Sequence, residues 1–133
     1  MELPEPAREL LRKRAWGHVV TRNANGSPQV TMVWLDEDGG DLVFNTSLSR
    51  VKAVNLERDP RIVVSVQNIE SPQQYLLVRG RAELTTAGAW EHINKLSQRF
   101  SGRAYPRREP PEQRVIVRVH ATRIGGAGPW VQR

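Results

Sequence analysis

The sequence of 133 residues contains no cysteine. The absence of thiols excludes disulfide bonds, cysteine nucleophiles and thiolate-bound zinc or iron–sulfur clusters, and it is compatible with a reducing compartment. No apolar run approaches the ~20 residues that span a bilayer. The first residues also lack the charged and apolar stretches of a secretory signal peptide. We therefore expect a cytoplasmic protein that has no membrane partner.

Aromatic side chains are scarce, at 6% of the chain, whereas basic residues are abundant. Lys and Arg number 20 against 14 Asp and Glu, which gives a formal net charge of +6. This surplus either attracts an anionic partner or is only the solvated surface of an arginine-rich protein. The aromatic residues do not alternate with the basic ones, as a stacking platform for single-stranded nucleic acid requires. We therefore expect a phosphorylated or acidic small molecule as the partner, and no nucleic acid.

Several common kinds of active site are missing. The chain has no Gly-x-Ser-x-Gly elbow, no Walker loop and no dinucleotide glycine fingerprint. Its three histidines, His18, His92 and His120, have no second ligand at metal spacing, so no metal site is predicted. No residue can be assigned as catalytic. If the protein is an enzyme, a cofactor is expected to carry the difficult chemistry.

The apolar pattern predicts one domain over residues 1–133, mainly β with short helices. Period-three and period-four spacing predicts helices over 5–13, 49–59 and 87–100. Asn25-Gly26 is a strong hairpin signal, and residues 36–40 are interpreted as a second turn. Six strands are predicted, over residues 16–21, 29–35, 41–46, 61–67, 75–85 and 114–124. Closing this antiparallel meander into a barrel would remove its exposed edges.

The most informative segment lies between the third strand and the second helix. Thr46, Ser47 and Ser49 are natural N-cap residues, and the free N–H groups of a helix start can bind an anion. Arg50 can hold a phosphate through two parallel hydrogen bonds, and Lys52 adds a point charge. On the residues alone, an ordinary capped helix with solvated charges is the simpler interpretation.

The same helix contains further candidates. Asn55, one turn later, is a candidate for binding a ribityl hydroxyl or for capping neighbouring backbone. Leu48, Val51 and Val54 are predicted to form the buried face of the helix, with Arg50 and Lys52 on the polar face.

This segment resembles the phosphate-binding segment of the pyridoxamine-phosphate-oxidase-like split β-barrel flavoproteins, and most of all their deazaflavin-dependent branch. The shared pattern is Thr46-Ser47, then Arg50-x-Lys52-x-x-Asn55-Leu56, then Asp59-Pro60-Arg61 before a β-branched strand. Weaker similarities are the Asn25–Gln29 turn, the Val78-Arg79-Gly80-Arg81-Ala82 run and the final strand. The resemblance covers nearly the whole chain.

The resemblance implies a six-stranded antiparallel split β-barrel of the FMN-binding type, a homodimer with cofactor sites at the subunit interface. It places the phosphate on Arg50 and Lys52, with Thr46 and Ser47 in support, and the ring beside strand residues 31–34. Gln67 or Gln74, from the same chain or from the partner subunit, is expected to complete the site. Two interpretations of Trp34 stay open, core packing and contact with the cofactor ring. Trp130 is either a packing anchor or a residue that reaches the neighbouring subunit's pocket. The implied cofactor-binding residues are Thr31, Met32, Val33, Trp34, Asn45, Thr46, Ser47, Arg50, Lys52, Asn55, Gln67 and Gln74.

The cofactor implied first is the deazaflavin coenzyme F420, with FMN as the alternative, because both carry a ribityl phosphate. The glutamate tail of coenzyme F420 would find counter-charges in the arginine surplus (Arg61, Arg79, Arg81, Arg103, Arg107 and Arg108). Residues 125–133 show no sign of the substrate motif that vitamin B6 oxidases carry at this end. The expected activity is hydride transfer from reduced deazaflavin to a small unsaturated organic acceptor. The alternatives are an FMN-dependent oxidoreductase and a cofactor-storage protein without turnover.

Overall fold

The computed structural model describes residues 1–108 and 111–131, and it shows seven antiparallel strands in one curled sheet with three short helices. The strands follow the order β2-β1-β5-β6-β7-β4-β3 across the sheet. Among the described residues, no helix has the length and apolar character needed to cross a bilayer. The strands are β1 (Trp16–Arg22), β2 (Pro28–Trp34), β3 (Asp36–Asp38), β4 (Asp41–Ser47), β5 (Arg61–Gln67), β6 (Tyr75–Thr85) and β7 (Arg114–Ala127). The helices are α1 (Glu5–Arg12), α2 (Val51–Arg58) and α3 (Ala89–Ser101).

The predicted fold class is confirmed: the chain is mainly β, and its curled sheet is a half-barrel of the split-barrel type. The sheet begins at β2 and ends at β3, and its curl brings β2 near β4 without pairing them. Alternating apolar residues such as Val19, Phe44, Val64 and Val117 fill the concave side. Helix α1 adds Leu11 to this core.

The prediction of six strands is wrong, because residues 36–38 form the short strand β3 instead of part of a turn. Asp36 pairs with Val43 and Asp38 with Asp41, so the turn shrinks to Gly39-Gly40, both at positive φ. Arg118 forms ion pairs with Asp38 and Asp41 that offset the charge of this acidic hairpin. A three-residue acidic strand carries no apolar alternation, and the sequence pattern therefore missed it.

The end of the chain packs against its own core. Strand β7 continues to Ala127, three residues beyond its predicted end, and pairs with the full length of β6. Trp130 is buried, and its indole Nε1 donates a hydrogen bond to the carbonyl of Tyr75 at 2.9 Å. Of the two interpretations of Trp130, the structure therefore shows the packing anchor within its own chain.

Helix α2 turns a different face to the core than its pattern predicts. Val51 and Val54 are 54% and 50% exposed, whereas Lys52 and Asn55 are buried. The amide Nδ2 of Asn55 donates to Thr21 Oγ1 and to Asn23 Oδ1, both at 3.0 Å. These bonds tie the helix to the β1–β2 hairpin through its polar face. The predicted buried face was wrong because Ala53 and Leu56, rather than Val51 and Val54, are buried, together with the hydrogen-bonded Asn55.

The predicted N-cap is also wrong. The N-cap residue of α2 is Arg50, whose backbone is extended and whose side chain makes no capping hydrogen bond. Thr46 and Ser47 belong to β4, and Ser47 Oγ lies 3.0 Å from Ser49 Oγ. The hydroxyl residues therefore end the strand and shape the loop, and the helix begins two residues later than predicted.

Candidate functional site

A cleft of about 430 Å³ lies at the split in the barrel, where the sheet does not close between β2 and β4. Residues 31–34 of the edge strand β2 form one wall, and Ile93 and Leu96 of α3 contribute to another. Asn45 and Thr46 come from the end of β4. The remaining lining residues are Trp16, Arg50, Lys52, Tyr105 and Arg114.

The cleft brings together two segments that the sequence predicted as cofactor-binding. One is the strand segment 31–34, and the other is the stretch from β4 into α2. The predicted site residues that line the cleft are Thr31, Met32, Val33, Trp34, Asn45, Thr46, Arg50 and Lys52. Ser47, Asn55, Gln67 and Gln74 lie outside its lining.

Three cations, Arg50, Lys52 and Arg114, line the cleft. Lys52 is only 9% exposed. Burial lowers the pKa of its ammonium group, and the positive charges of Arg50 and Arg114 lower it further. Within residues 1–108 and 111–131, no carboxylate lies within ion-pair distance of Arg50 or Lys52. A buried cation without a counter-charge, such as Lys52, is costly in the free protein and suits a site that receives an anion.

Arg114 is a third cation of this cleft, and sequence reasoning missed it. It is 8% exposed, and its Nε donates to Asn45 Oδ1 at 2.9 Å. Its Nη1 donates to Glu112 Oε2 at 2.7 Å, and its guanidinium lies 5.0 Å from the centre of the Tyr105 ring. Arg114 reaches the cleft because β7 pairs with β4 in a register that sets it opposite Ser47. No local motif signals that long-range pairing.

Behind Asn45 lies a chain of buried polar groups. Asn45 Nδ2 donates to the carbonyl of Ala89 at 2.8 Å and lies 3.1 Å from Nδ1 of His92. Because the amide nitrogen is the donor, Nδ1 of His92 is the acceptor and the ring proton is on Nε2. That Nε2 lies 3.8 Å from Asp36 Oδ2, too far for a direct hydrogen bond, and it is buried without a partner among the described residues.

The carboxylate of Asp36 is the charged end of this chain. Its burial would raise its pKa, but His92, the N–H of Glu37 and Arg99 together outweigh burial and hold the pKa at about 2. Arg99 Nη2 donates to Asp36 Oδ1 at 2.9 Å. Asp36 is therefore ionised at neutral pH and fixed in place.

Two tryptophans, Trp16 and Trp34, also line the cleft. Trp34 stacks on Phe100 at 5.2 Å between ring centres with an interplanar angle of 13°. Trp16 stands edge-on to both rings, at 6.0 Å from Trp34 and 5.7 Å from Phe100. Trp34 both packs on another aromatic residue and lines the cleft, so neither of its two predicted roles is excluded. This wall is suited to contact with a flat conjugated ring.

The edge of β2 leaves backbone groups available. Within the described chain β2 pairs only with β1, so the N–H and C=O groups on its outer edge have no strand partner. Thr31 lines the cleft, and its Oγ1 is buried without a hydrogen-bond partner among the described residues. A ligand with a polar edge along this strand would meet unpaired donors and acceptors.

The predicted site residues outside the cleft make other contacts. The amide of Asn55 is occupied by the β1–β2 hairpin, and Gln67 Nε2 donates to the carbonyl of Pro72 at 2.9 Å. Gln74 Oε1 accepts from Asn68 Nδ2 at 3.2 Å. Contact of the two glutamines with a neighbouring subunit's cleft stays a prediction. Among the described residues, no three His, Asp or Glu side chains are grouped as metal ligands.

Comparison with known proteins agrees with this architecture. The family model described as pyridoxamine 5'-phosphate oxidase matches residues 3–127, nearly the whole chain. The chain belongs to this family. No curated protein matches it.

Solved structures extend the family assignment. An F420 reductase is 31% identical with a TM-score of 0.81, over 92% of this chain and 98% of its own. A conserved hypothetical protein from Mycobacterium tuberculosis is 22% identical with a TM-score of 0.72, over 95% of this chain and 84% of its own. HupZ from Group A Streptococcus is 20% identical with a TM-score of 0.72, over 98% of each chain. The last two support the fold alone. Together with the family match, the F420 reductase supports a flavin or deazaflavin oxidoreductase.

Proposed function

We propose that the cleft binds coenzyme F420 and that the protein is a reductase for small unsaturated organic acceptors. The observation that carries the proposal is the composition of one continuous cleft. Its lining contains a group of cations, Arg50, Lys52 and Arg114, and a pair of packed tryptophans, Trp16 and Trp34. A ribityl phosphate attached to a flat ring likewise combines a charged group with an apolar one.

The group of cations fits the phosphate. The guanidinium of Arg50 can form two parallel hydrogen bonds to phosphate oxygens, and Lys52 adds a compact charge. Thr46, which is buried at the end of β4, places a hydroxyl in the same lining. A bound phosphate would offset the burial and like-charge repulsion that lower the pKa of Lys52.

The two tryptophans and the β2 edge fit the ring. Strand residues 31–34 would hold its polar edge through backbone groups, and Trp34 would limit its tilt. When bound and reduced, the deazaflavin would supply the hydride. The chain's own contribution is to orient the ring, to fix the acceptor nearby and to exclude water. No side chain is assigned as a proton donor; His18 and Tyr75, which are candidates by residue type, lie outside the cleft lining.

The choice of coenzyme F420 over FMN depends on the 31% identical F420 reductase and on the arginine surplus. Three of the arginines expected to face the glutamate tail already have partners. Arg61 pairs with Asp59 at 2.7 Å, Arg108 pairs with Glu112 at 3.2 Å, and Arg107 lies 4.2 Å above the Trp90 ring. The other three are exposed: Arg79, Arg81 and Arg103. FMN is the alternative cofactor, because its ribityl phosphate would use the same contacts.

We also propose that the protein is a homodimer whose interface includes the outer face of β2. Val30 and Met32 are 55% and 56% exposed there, and neighbouring Trp16 is 44% exposed. This apolar surface is continuous with the cleft, because Met32 and Trp16 also line it. A second copy on this face would bury the valine and methionine and close one side of the cleft. A cytoplasmic location stays a prediction from the sequence.

The test is a fluorescence titration of the purified protein with coenzyme F420 and with FMN. The double variant Arg50→Ala with Lys52→Ala should bind at least about 100-fold more weakly, since each charged hydrogen bond contributes about 1.5–3 kcal/mol. Lys95→Ala, which removes an exposed lysine outside the cleft, is the matched control. Equal affinity of the double variant and the wild type would refute the phosphate site.

Turnover needs its own measurement. Oxidation of the reduced deazaflavin should be followed with a panel of enones, quinones and nitro compounds. Hydride transfer to at least one class is the expected result. Tight binding without transfer to any of them would instead favour a cofactor-storage protein.

A further inference from the structure

We propose that Arg114 is a further anion-binding residue of the cleft, and that Asn45 and His92 are the residues that position it. This inference rests on the proposed phosphate site and adds residues to it that the local Arg50-x-Lys52 motif does not contain.

The guanidinium of Arg114 is only partly engaged within the described chain. Nε and Nη1 are engaged by Asn45 and Glu112, and Nη1 also lies 3.4 Å from the Tyr105 hydroxyl. Nη2 makes no hydrogen bond to any residue within 1–108 and 111–131, although Arg114 lines the cleft. An arginine has five N–H donors in a fixed planar fork. Because Nε and Nη1 already hold the guanidinium in place, Nη2 can donate to a ligand without a further loss of side-chain conformational entropy.

The side-chain amide of Asn45 is fixed by hydrogen bonds at both of its ends. Its Oδ1 accepts from Arg114 Nε, and the two hydrogens of Nδ2 point to the Ala89 carbonyl and to His92 Nδ1. Every hydrogen bond to this amide depends on its orientation. A 180° flip would set Oδ1 against the Ala89 carbonyl and Nδ2 against a guanidinium that can only donate. His92, as an acceptor, therefore helps to hold Asn45 in the orientation that Arg114 needs.

The carboxylate of Asp36 keeps Nδ1 of His92 available as an acceptor. Asp36 Oδ2 lies 3.8 Å from His92 Nε2, and its negative charge favours a proton on that nitrogen and leaves Nδ1 as the acceptor. Arg99 fixes the carboxylate from α3 at 2.9 Å. The polar chain thus runs from β3 through α3 and β4 to β7. It ends on Arg114, which lines the cleft.

The experiment measures how much the phosphate contributes to binding. The probes are FMN and riboflavin, and coenzyme F420 and the deazaflavin ribitol that lacks its phosphate. For each protein, the ratio of the two dissociation constants in a pair, unphosphorylated over phosphorylated, reports the phosphate contacts. In the coenzyme F420 pair the ratio also includes the glutamate tail, which is attached through the phosphate, so the phosphate effect is read from how the ratio changes between variants. In Arg114→Gln this ratio should fall about tenfold or more, since a charge-assisted hydrogen bond is lost. In Arg114→Lys the fall should be smaller, because the charge stays and the Nε anchor is lost.

The positioning role is tested at His92. The variant His92→Leu has no acceptor for Asn45, and its ratio should fall about threefold to tenfold. In His92→Gln the side-chain oxygen can accept from Asn45, so the ratio should return to within about twofold of the wild type. Arg118→Gln is the matched control, because Arg118 lies on the same strand and is ion-paired, yet it does not line the cleft. Thermal melting of each variant confirms that it is folded.

The outcomes separate this inference from the proposed function. A large wild-type ratio that Arg114→Gln leaves unchanged would overturn the role of Arg114 and leave the Arg50 and Lys52 site intact. Equal ratios in His92→Leu and the wild type would overturn the positioning role. A wild-type ratio near one would overturn both proposals. If Arg114→Gln does not fold, the ratio of Arg114→Lys still tests the role of Arg114 in anion binding. The comparison of His92→Leu with His92→Gln still tests the positioning role.

Discussion

Replacing Lys52 with methionine should raise the thermal stability of the unliganded protein while it weakens phosphate-dependent binding. Burial, and then the charges of Arg50 and Arg114, lower the pKa of Lys52 below its usual value. A lysine whose pKa is lower in the folded state than in the unfolded state costs stability while it is protonated, and this cost fades as the pH rises above the two pKa values. Methionine keeps the apolar stem of the side chain and removes the charge.

The two effects have different sizes. Removing a destabilising functional charge typically adds about 1 kcal/mol, which corresponds to about 3–5 °C in a domain of this size. Losing one charge-assisted hydrogen bond costs about 1.5–3 kcal/mol, or roughly 10- to 100-fold in affinity. At a ligand concentration of ~100 times its dissociation constant, the wild type gains about 2.7 kcal/mol. A variant that binds roughly 30-fold more weakly gains only about 0.9 kcal/mol at that concentration. The order of stability should therefore reverse when ligand is added.

The assay is thermal denaturation with and without coenzyme F420 or FMN at matched concentrations. Lys95→Met is the control, because it makes the same replacement at an exposed position of α3 and should change neither melting curve by more than a degree or so. A lower melting temperature for unliganded Lys52→Met would show that the ammonium group is stabilised within the fold. That result would refute the argument that its burial is compensated by a ligand.

Two further predictions concern acid stability and assembly. Because Asp36 has a pKa of about 2, below its ordinary 3.8, it contributes about 2 kcal/mol of stability at neutral pH that should be lost as the pH falls from about 4 to about 2. Urea denaturation across that range should show this loss in the wild type and not in Asp36→Asn, and equal slopes would contradict the assignment. Val30→Asp should convert the proposed dimer into a monomer in sedimentation experiments, since it places a charge in the β2 interface. Val54→Asp, on the exposed face of α2, should leave the dimer intact, and an unchanged dimer in both variants would rule out the β2 face.

The sequence predicted the parts of the site that are local in the chain. Arg50 and Lys52 lie two residues apart at a strand-to-helix junction, and both belong to the motif on which the family resemblance rests. The strand segment 31–34 was also predicted from the family resemblance, as the strand beside the cofactor ring. Arg114 and His92 were not predicted as site residues, because they meet Asn45 only through the β4–β7 register and the packing of α3. A single sequence carries no local signal for such long-range pairing.

The errors in the predicted fold have a physical cause as well. The apolar period of α2 favoured Val51 and Val54 as its buried face, yet the helix buries Lys52 and Asn55. Apolar periodicity assumes that burial of apolar surface sets a helix's rotation. Here the buried apolar residues are Ala53 and Leu56, which the pattern did not select, and the polar residues Lys52 and Asn55 are buried with them. Places where a local rule fails in this way are expected at functional sites.

The proposed cofactor and the proposed dimer would each cover a part of β2 that is uncovered within the described chain. An unpaired edge strand invites association with other strands, and proteins usually protect it with charge, proline or a covering element. Pro28 stands at one end of β2, but Val30 and Met32 leave its outer face apolar and exposed. A ligand against the edge and a second copy against the outer face would together cover the strand. If the protein binds neither, β2 should instead promote aggregation. Val30→Asp removes part of this apolar surface, so the solubility of the unliganded variant relative to the wild type measures how strongly the surface promotes association.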